Sequence, residues 1–459
     1  MKEKILTAGF SLTGIAAAKY LSTCYDVYLT EANKKNEEDA DKIKELENLG
    51  VKLEFGGHTK EFVQGAKFAI ISPSIPRDAD IIKLLEECKV EYFSDIEYVF
   101  RITREKQKPK MIVITGTNGK TTTTLLTSHI FSQKFIAPSC GNVGKSPFEC
   151  LNANDASSVY PDYLIAEASS YQLNYSVELA PKIAIFCNLT PDHIAWHGGL
   201  EGYFEAKASM FRRMDENCHA ILNFDDEKVK NLAKELKCKV HFFALRGDEL
   251  NSKDKNCYIW DNSIYFGDEK IIDTNDVPIV GSHNLQNVMC AVIAAKIEGI
   301  DTSIIVNAIK DFKAPAHRCE FIRMLDGTAY YNDSKATNPE ASIVAINSFE
   351  GKKTVLIAGG RDKNTSLDEF AAFVKERISK VVLIGEATQR FTDELYKNGY
   401  SNIVHAQSLE EAVDLASLDK PDIVLLSPAC ASFDMFKNYE QRGEAFRRYV
   451  LSKKQLVSR

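Results

Sequence analysis

The sequence predicts an α/β protein with three domains. We expect a Rossmann-like N-terminal domain at residues 1–95, a central P-loop ATPase-like domain with a mainly parallel sheet at 96–313, and a Rossmann-like C-terminal domain at 314–459. The length of 459 residues exceeds what one hydrophobic core normally organises. Strand-like and helix-like segments alternate near both ends of the chain, as in parallel sheets with crossover helices. Between them, an apolar strand pattern runs directly into a glycine-rich turn.

Composition excludes several classes of protein. The chain is 44% hydrophobic and 26% charged, which is typical of a globular protein, and its net charge of −7 argues against nucleic acid or a membrane surface as a partner. The eleven cysteines show no C-x-x-C pair, which favours a reducing compartment. The longest stretch without Asp, Glu, Lys or Arg, residues 277–295, contains His and Asn side chains and is not a membrane span. The start of the chain shows no signal-peptide pattern. We therefore expect a cytoplasmic protein without membrane insertion. We also expect a monomer.

The N-terminal region has polar groups at the predicted carboxyl ends of its strands. The first turn, GFSLTG, has Ser11 where a dinucleotide fingerprint has glycine, so it is weak evidence for NAD. Glu31 follows the second strand and either holds a ribose or base edge or is a solvated carboxylate. The segment SPSIP at 72–76 follows another buried strand, at the edge where ligands of open α/β sheets bind. The charged segment 104–110 is interpreted as the linker to the central domain.

Residues 111–124, MIVITGTNGKTTTT, are the clearest functional pattern. A short apolar strand ends before Gly116, and a helix is predicted to begin at Lys120. Glycines let backbone N–H groups surround a phosphate, Lys120 adds a charge, and the Thr121 hydroxyl can bind Mg²⁺. The alternative is a glycine-rich turn that binds nothing. The pattern is a short variant, because Ile114 stands where the common spacing has glycine, and it predicts an ATP-type phosphate site.

Four further polar groups in the central region have both functional and structural interpretations. Glu167 ends a buried strand and is a candidate oxygen ligand of nucleotide-bound Mg²⁺. Taken alone, His193 and Lys207 fit packing or a solvated helix surface better than a ligand role. Asn284 and Asn287 could read an adenine edge or cap a helix.

The C-terminal region adds cations on loops beside glycine turns. Arg318 suits a bidentate carboxylate, and Lys335 and Lys363 suit phosphate, with Asp333 and Thr337 nearby in sequence. Surface lysines are usually only solvated. Three such cations in a net acidic chain nevertheless predict a small site for an anionic substrate.

At this point the chain resembles the Mur ligase family over nearly its whole length. The resemblance is carried, in order, by TGTNGKTT, GNVG, EASSYQL, NLTPDH, GSHNLQN, HR, NDSKATN, GGRDK and SPACASFDMF followed by RG. NDSKATN is the most diagnostic segment, because family members that add other amino acids differ there. The resemblance implies a ligase that phosphorylates a substrate carboxylate with ATP, so that an amine displaces phosphate from the acyl phosphate. It further implies the substrates UDP-N-acetylmuramoyl-L-alanine and D-glutamate, and two Mg²⁺ ions.

The resemblance also implies roles for individual residues. The phosphates and adenine of ATP would be held by Gly116, Thr117, Asn118, Gly119, Lys120, Thr121, Thr122, Asn284, Asn287, Arg318, Asp333 and Lys335. One Mg²⁺ would be bound by Thr121 and Glu167, and the second by His193 and Lys207, the lysine as a carbamate. Lys120, Glu167, His193, Lys207 and Lys335 would be the catalytic set.

The substrate residues follow in the same way. The sugar nucleotide would be bound by Leu12, Thr13, Glu31, Ser72, Ser74, Asn142, Gln172 and His193, and D-glutamate by Thr337, Lys363, Ser432, Phe433 and Tyr439. The chain departs from the family pattern at Glu31, Ser74, Tyr171 and Tyr439, none of which touches the phosphate or metal chemistry. A ligase for another amino acid and a nucleotide-gated binding protein without synthetic activity remain alternatives.

Overall fold

The computed structural model describes residues 2–106, 108–151, 160–247 and 256–454. Three sheets account for all the strands in these ranges. No helix in the described ranges is both long and apolar enough to cross a membrane.

The N-terminal sheet is wholly parallel. Its strands are β1 Lys4–Ala8, β2 Asp26–Glu31, β3 Lys52–Phe55, β4 Phe68–Ile71 and β5 Glu91–Phe93. They lie in the order β3-β2-β1-β4-β5. The helices are α1 Leu12–Leu21, α2 Ala40–Asn48, α3 Lys60–Val63, α4 Asp80–Glu87 and α5 Asp95–Lys106. The order reverses at β1, so the loop after β1 lies at the switch point where open α/β sheets bind ligands.

The central sheet contains the phosphate-loop strand. Its strands are β6 Lys110–Thr115, β7 Ser139–Gly141, β8 Tyr163–Glu167, β9 Ile183–Phe186, β10 His219–Asn223, β11 Lys239–Ala244, β12 Cys257–Trp260, β13 Ser263–Phe266 and β14 Glu269–Asp273. They lie in the order β14-β13-β12-β11-β10-β9-β6-β8-β7. Residues 111–115 of β6 are buried, as expected for a parallel strand covered on both faces. The pairs β12–β13 and β13–β14 are antiparallel, and the other pairs are parallel.

Helices cover this sheet, and the most important of them for the site follows β6 directly. The helices are α6 Lys120–Phe131, α7 Pro147–Cys150, α8 Ser170–Asn174, α9 Ile194–His197, α10 Leu200–Arg212, α11 Glu227–Leu232, α12 Ser282–Ile297 and α13 Thr302–Asp311.

The third sheet is parallel except at one edge. Its strands are β15 Glu320–Leu325, β16 Thr328–Asn332, β17 Thr354–Gly359, β18 Ile378–Ile384, β19 Ile403–His405 and β20 Ile423–Leu426, in the order β15-β16-β20-β17-β18-β19. Only the β15–β16 pair is antiparallel. The helices are α14 Pro339–Asn347, α15 Asp368–Arg377, α16 Thr388–Lys397, α17 Leu409–Ser417 and α18 Tyr439–Ser452. Three predicted site segments follow β16, β17 and β20, which are neighbours.

Contacts between residues divide the chain into two compact units. The first comprises Met1–Asp276 and Gln286–Asp311, with the N-terminal and central sheets, and the second comprises Val277–Leu285 and Phe312–Arg459. Within the first unit, Tyr175 connects the two sheets. Its hydroxyl donates to the Ile75 carbonyl at 2.8 Å, and its carbonyl accepts from Ser94 N at 2.9 Å.

The structure confirms the α/β class and the mainly parallel sheets. The domain limits near 95 and 313 remain predictions. The segment interpreted as a linker differs from expectation at its start, because α5 continues to Lys106. Gln107, inside that segment, lies outside the described residues.

Candidate active site

The loop between β6 and α6 depends on two glycines with positive φ. Gly116 has φ +149°, and a Cβ there would lie 2.9 Å from Cys187 Cβ. Gly119 has φ +81°, and a Cβ there would lie 2.4 Å from Asn287 Oδ1. L-residues rarely adopt this backbone, and there is no space for a side chain. The loop is therefore a cradle of backbone at the N-terminus of a twelve-residue helix, the arrangement that binds phosphate.

Two lysines converge on one carbonyl of this loop. Lys120 Nζ donates to Gly116 O at 3.0 Å and to Thr117 O at 2.8 Å. Lys207 Nζ, from α10, donates to Gly116 O at 2.7 Å. Lys207 is only 1% exposed, and burial, followed by the nearby charge of Lys120, holds its pKa well below the ordinary lysine value. The lowered pKa of Lys207 favours its neutral amine form.

Glu167 ends β8 next to the loop and is fully engaged. Its Oε2 accepts from Thr121 Oγ1 at 2.7 Å, and its Oε1 accepts from Asn142 Nδ2 at 2.8 Å. These carboxylate and hydroxyl oxygens are hard donors of the kind that Mg²⁺ prefers, so the residues fit that ion. In the described part of the chain no group of three or more His, Cys, Asp or Glu side chains could hold a metal. A Mg²⁺ ion here would complete its coordination with nucleotide oxygens and water.

His193 lies in an aromatic cluster beside the loop. Its backbone is left-handed, with φ +52°, and its Nε2 is 3.5 Å from Asp192 Oδ2. The His193 and Tyr171 ring centroids are 5.0 Å apart. Nearby, His197 Nε2 is 2.9 Å from Ser170 Oγ, and burial lowers the pKa of His197 to about 4. The structure places His193 against this cluster, and its role as a metal ligand stays a prediction.

The two predicted adenine-site asparagines are both engaged in the protein. Asn287 Oδ1 accepts from Thr123 Oγ1 at 3.0 Å, beside Gly119. Asn284 Nδ2 donates to Val280 O at 2.7 Å. The structure thus places Asn287 at the phosphate loop, and contact of either residue with adenine stays a prediction.

Most of the residues predicted to bind the sugar nucleotide lie near the ends of β1, β2 and β4 or beside β8. Ser72 Oγ, which is buried, is 2.6 Å from Ser11 Oγ. Glu31 accepts from Phe10 N at 2.7 Å and from Asn33 N at 2.8 Å. Its carboxylate therefore shapes the turn after β1, in addition to any role toward a ligand. Leu12, the first residue of α1, and Ser74, in the loop after β4, are both exposed.

Asp95, for which the sequence predicted no role, joins two of the predicted residues. It is buried at the start of α5, accepts from Gln172 Nε2 at 3.0 Å, and is hydrogen-bonded by the Thr13 side chain. Burial raises its pKa despite these hydrogen bonds. Thr13 and Gln172 are thus tied to one carboxyl group that connects the first turn of α1 with α8, which closely follows Glu167.

The third sheet gathers its predicted segments around Asp333 and Arg442. Asp333 Oδ2 accepts from Ser427 Oγ at 2.8 Å, and burial raises the pKa of Asp333 to about 7. Arg442, 1% exposed, donates to Ser334 Oγ at 2.9 Å, Ser334 O at 2.9 Å, Cys430 O at 3.1 Å and Ala431 O at 3.3 Å. It therefore holds the NDSKATN and SPACAS segments together. The RG pair is part of the family motif, but the sequence predicted no role for its arginine.

The other residues of this unit with a predicted role lie on or near the loops that contain Asp333 and Lys363. Lys335 Nζ lies 3.9 Å from the centroid of the Tyr439 ring. Arg318 lowers the pKa of Asp333 through its charge, opposing the larger effect of burial. Lys363 is exposed on a loop held by a bidentate pair between Asp362 and Arg390. The last three differ in exposure: Thr337 is half-buried, Ser432 is buried and Phe433 is 63% exposed.

The first unit contains a phosphate loop with a carboxylate and two lysines, and the second contains clustered polar loops. This combination is typical of a nucleotide-dependent α/β enzyme built from several sheets. Residues 114–295 match the Mur ligase middle domain, and residues 317–430 match the Mur ligase glutamate ligase domain. The chain belongs to the Mur ligase family.

Relatives over the full length are more specific. The chain is 37% identical to UDP-N-acetylmuramoylalanine--D-glutamate ligase of Thermoanaerobacter pseudethanolicus, over 98% of each chain. It is 35% identical to the protein of the same name from Clostridioides difficile, over 97% of each.

Solved structures show the same fold at low identity. UDP-N-acetylmuramate-alanine ligase MurC of Thermotoga maritima superposes with a TM-score of 0.59 at 18% identity, covering 99% of this chain and 100% of the other. MurF of Acinetobacter baumannii gives 0.60 at 15% identity, covering 97% and 93%.

Proposed function

We propose that this protein is an ATP-dependent amide-bond ligase that adds D-glutamate to UDP-N-acetylmuramoyl-L-alanine, yielding ADP and phosphate, in peptidoglycan precursor synthesis. The observation that carries the proposal is the 37% identity, over 98% of both chains, to a ligase of that name. The phosphate loop and its carboxylate supply a site for the first step, transfer of the γ-phosphoryl group to the substrate carboxylate. Eleven free cysteines and an ATP and UDP-sugar chemistry suit the cytoplasm.

At the phosphate loop, Lys120 Nζ donates to two backbone carbonyls. When ATP binds, the same ammonium group would donate to the β- and γ-phosphate oxygens instead. Gly116 and Gly119 allow the backbone N–H groups to approach those oxygens closely. Thr121 and Glu167 would hold Mg²⁺, which when bound neutralises charge that develops on the transferred phosphoryl group. Asn142 keeps the Glu167 carboxylate in its orientation through the 2.8 Å hydrogen bond.

Lys207 has the environment that carbamylation requires. Its lowered pKa favours the neutral amine, which attacks CO₂ to give a carbamate and release one proton. The product would be an anionic oxygen donor at the position of an ammonium group, and with His193 it would serve a second Mg²⁺. The buried position would protect the carbamate from water.

The substrates would occupy the loops already described. We assign the sugar nucleotide to the loops after β1, β2 and β4, with Asn142, Gln172 and His193. We assign D-glutamate to Thr337, Lys363, Ser432, Phe433 and Tyr439, where a lysine cation and backbone donors suit two carboxylates. Arg318, Asp333 and Lys335 would contact the nucleotide. The enzyme's contribution is to position the amine against the acyl phosphate and to stabilise the charge of the tetrahedral intermediate.

The test is phosphate release from ATP and Mg²⁺ with UDP-N-acetylmuramoyl-L-alanine, while D-glutamate, L-glutamate, L-alanine or a diamino acid is supplied in turn. We expect release only with D-glutamate. Phosphate release with another amino acid would show that the protein is a Mur ligase with a different amino-acid substrate. ATP binding without release that depends on the substrates would leave only a nucleotide-binding protein.

The Lys207 role has its own test. Lys207→Ala should lower turnover by at least about a hundredfold and recover in part with short carboxylic acids, because these replace the carbamate oxygens. Lys228→Ala, which removes an exposed lysine paired with Glu201, is the control. A Lys207→Ala enzyme with the wild-type rate would refute the carbamate.

A further inference from the structure

Two cysteines of the central region are in direct contact. Cys140 lies in β7 and Cys150 ends α7, and their thiols hydrogen-bond to each other. Cys150 Sγ is also 3.8 Å from the carbonyl of Ser139, the neighbour of Cys140 in β7. Cys140 is 0% exposed, whereas Cys150 is half-buried. One residue of the pair is therefore partly exposed and the other is fully buried.

The two thiols differ in their readiness to ionise. The hydrogen bond from Cys140, with help from Lys145, lowers the pKa of Cys150 although burial opposes it. The hydrogen bond to Cys150 and burial raise the pKa of Cys140. The partly exposed member, Cys150, is thus favoured as the thiolate, which is the nucleophile in thiol–disulfide exchange.

The segment between the two cysteines carries a residue of the candidate active site. Gly141 is paired in register with Glu167, and a Cβ on Gly141 would lie 2.3 Å from Glu167 O. Asn142 follows, and its backbone N donates to the Glu167 carbonyl at 2.9 Å, while its Nδ2 donates to the Glu167 carboxylate at 2.8 Å. The positions of Gly141 and Asn142 therefore decide how the carboxylate is held.

The helix that bears Cys150 is anchored on its other side. Phe148 of α7 is buried, and its ring centroid lies 5.4 Å from that of Tyr20 and 5.8 Å from that of Tyr98. Packed interiors transmit displacement rather than absorb it. A covalent bond draws two sulfurs closer than their non-bonded contact, so its formation must displace β7 or the 141–146 segment.

We propose that Cys140 and Cys150 form a thiol–disulfide site for low-molecular-weight disulfides, and that its oxidation displaces Asn142 from Glu167 and slows the ligase reaction. The disulfide itself is independent of the proposed function, whereas the effect on turnover rests on it. Residues that orient a metal ligand typically contribute about 10- to 100-fold to activity, and we expect a loss in this range.

Glutathione disulfide is the oxidant in the proposed thiol–disulfide exchange, and it accepts the two electrons that the cysteine pair loses. The Cys150 thiolate attacks one sulfur of glutathione disulfide, forming a mixed disulfide and expelling one glutathione thiolate. Cys140 then loses its proton and attacks Cys150 Sγ, which forms the Cys140–Cys150 bond and expels the second glutathione thiolate. The protein loses two protons and two electrons, and two glutathione thiols are produced.

The chain contains a matched control pair. The thiols of Cys187 and Cys290 also hydrogen-bond to each other, but both residues are buried, with exposures of 3% and 1%. This pair thus also has two thiols in contact and one thiol favoured as the thiolate, but glutathione disulfide cannot reach either residue. Glutathione disulfide should leave this pair reduced under conditions that oxidise Cys140 and Cys150.

The experiment incubates the full-length protein with glutathione disulfide and maps disulfides by peptide mass spectrometry, with phosphate release measured in parallel. We expect a Cys140–Cys150 crosslink, a 10- to 100-fold loss of turnover that dithiothreitol reverses, and Cys150→Ser protein that keeps its activity after the same treatment. Cys290→Ser should respond as wild type does.

Three outcomes would overturn the proposal. These are the absence of the Cys140–Cys150 crosslink, prior oxidation of Cys187 and Cys290, and a crosslinked protein with undiminished turnover. The crosslink is scored by mass alone, so a reduced protein without ligase activity would count against the proposed function and not against the thiol–disulfide site.

Discussion

Replacing Gly119 by alanine should destabilise the protein through two separable effects. The backbone φ of +81° costs an L-residue about 1 kcal/mol. The new Cβ would also lie 2.4 Å from Asn287 Oδ1, so Asn287 must rotate away. That rotation breaks the 3.0 Å hydrogen bond from Thr123 between two buried side chains. Leaving such groups unpaired costs about 1–3 kcal/mol. The sum is about 2–4 kcal/mol in the free energy of unfolding.

Gly65 offers a control that isolates the steric effect. Its φ is +78°, nearly the same, and nothing lies within 4 Å of the position its Cβ would take. Gly65→Ala should therefore lose only the backbone cost of about 1 kcal/mol.

Urea-induced unfolding of both variants and wild type, followed by circular dichroism, gives the comparison. The same preparations should be titrated with ATP, because displacement of Asn287 widens the phosphate loop and should weaken binding only in Gly119→Ala. Equal losses of stability in the two variants, or a loss below about 1 kcal/mol for Gly119→Ala, would refute the reasoning.

Further predictions concern the second unit. Arg442→Lys should cost about 2–4 kcal/mol and raise the KM for the amino acid, because lysine cannot form the four guanidinium hydrogen bonds to the two loops. The control Arg448→Lys, an exposed position on the same helix, should change stability by less than about 0.5 kcal/mol; similar losses would contradict the role of Arg442. Asp333→Asn should remove a pH dependence. With its pKa raised from 3.8 to about 7, Asp333 stabilises the folded state fully below about pH 4, and this contribution of up to about 4 kcal/mol is lost as pH rises through 7. Denaturation curves at pH 5 and 8 should therefore differ more in wild type than in the variant, and parallel curves would show that Asp333 titrates normally.

The sequence alone was sufficient for the parts of the protein that are encoded locally. Apolar runs bounded by glycine predict buried parallel strands, and β6 has that structure because a strand covered on both faces must be apolar throughout. The phosphate loop is equally local, since its glycines, Lys120 and Thr121 are consecutive or nearly so. The ordered motifs were sufficient for the family, which the comparisons confirm.

Individual side-chain contacts could not be predicted from the sequence in the same way. Lys207 fitted a solvated helix position by pattern, but the structure buries it against Gly116 O. Asn284 and Asn287 were interpreted from their spacing, which cannot reveal that their amides already bind Val280 and Thr123. Spacing predicts which face of a helix a residue occupies, and the partner on that face comes from another part of the chain.

The α/β class, the position of the phosphate loop and the family all follow from the amino-acid sequence. Which polar groups support the site is visible only in the folded chain. Asp95 meets Gln172 across 77 residues, and Arg442 meets Ser334 across 108. Both are buried and satisfied by hydrogen bonds that no local pattern encodes. The physical reason is that a buried charge or carboxyl group is stable only with its partners in place, and those partners come from distant parts of the chain that only tertiary packing brings together.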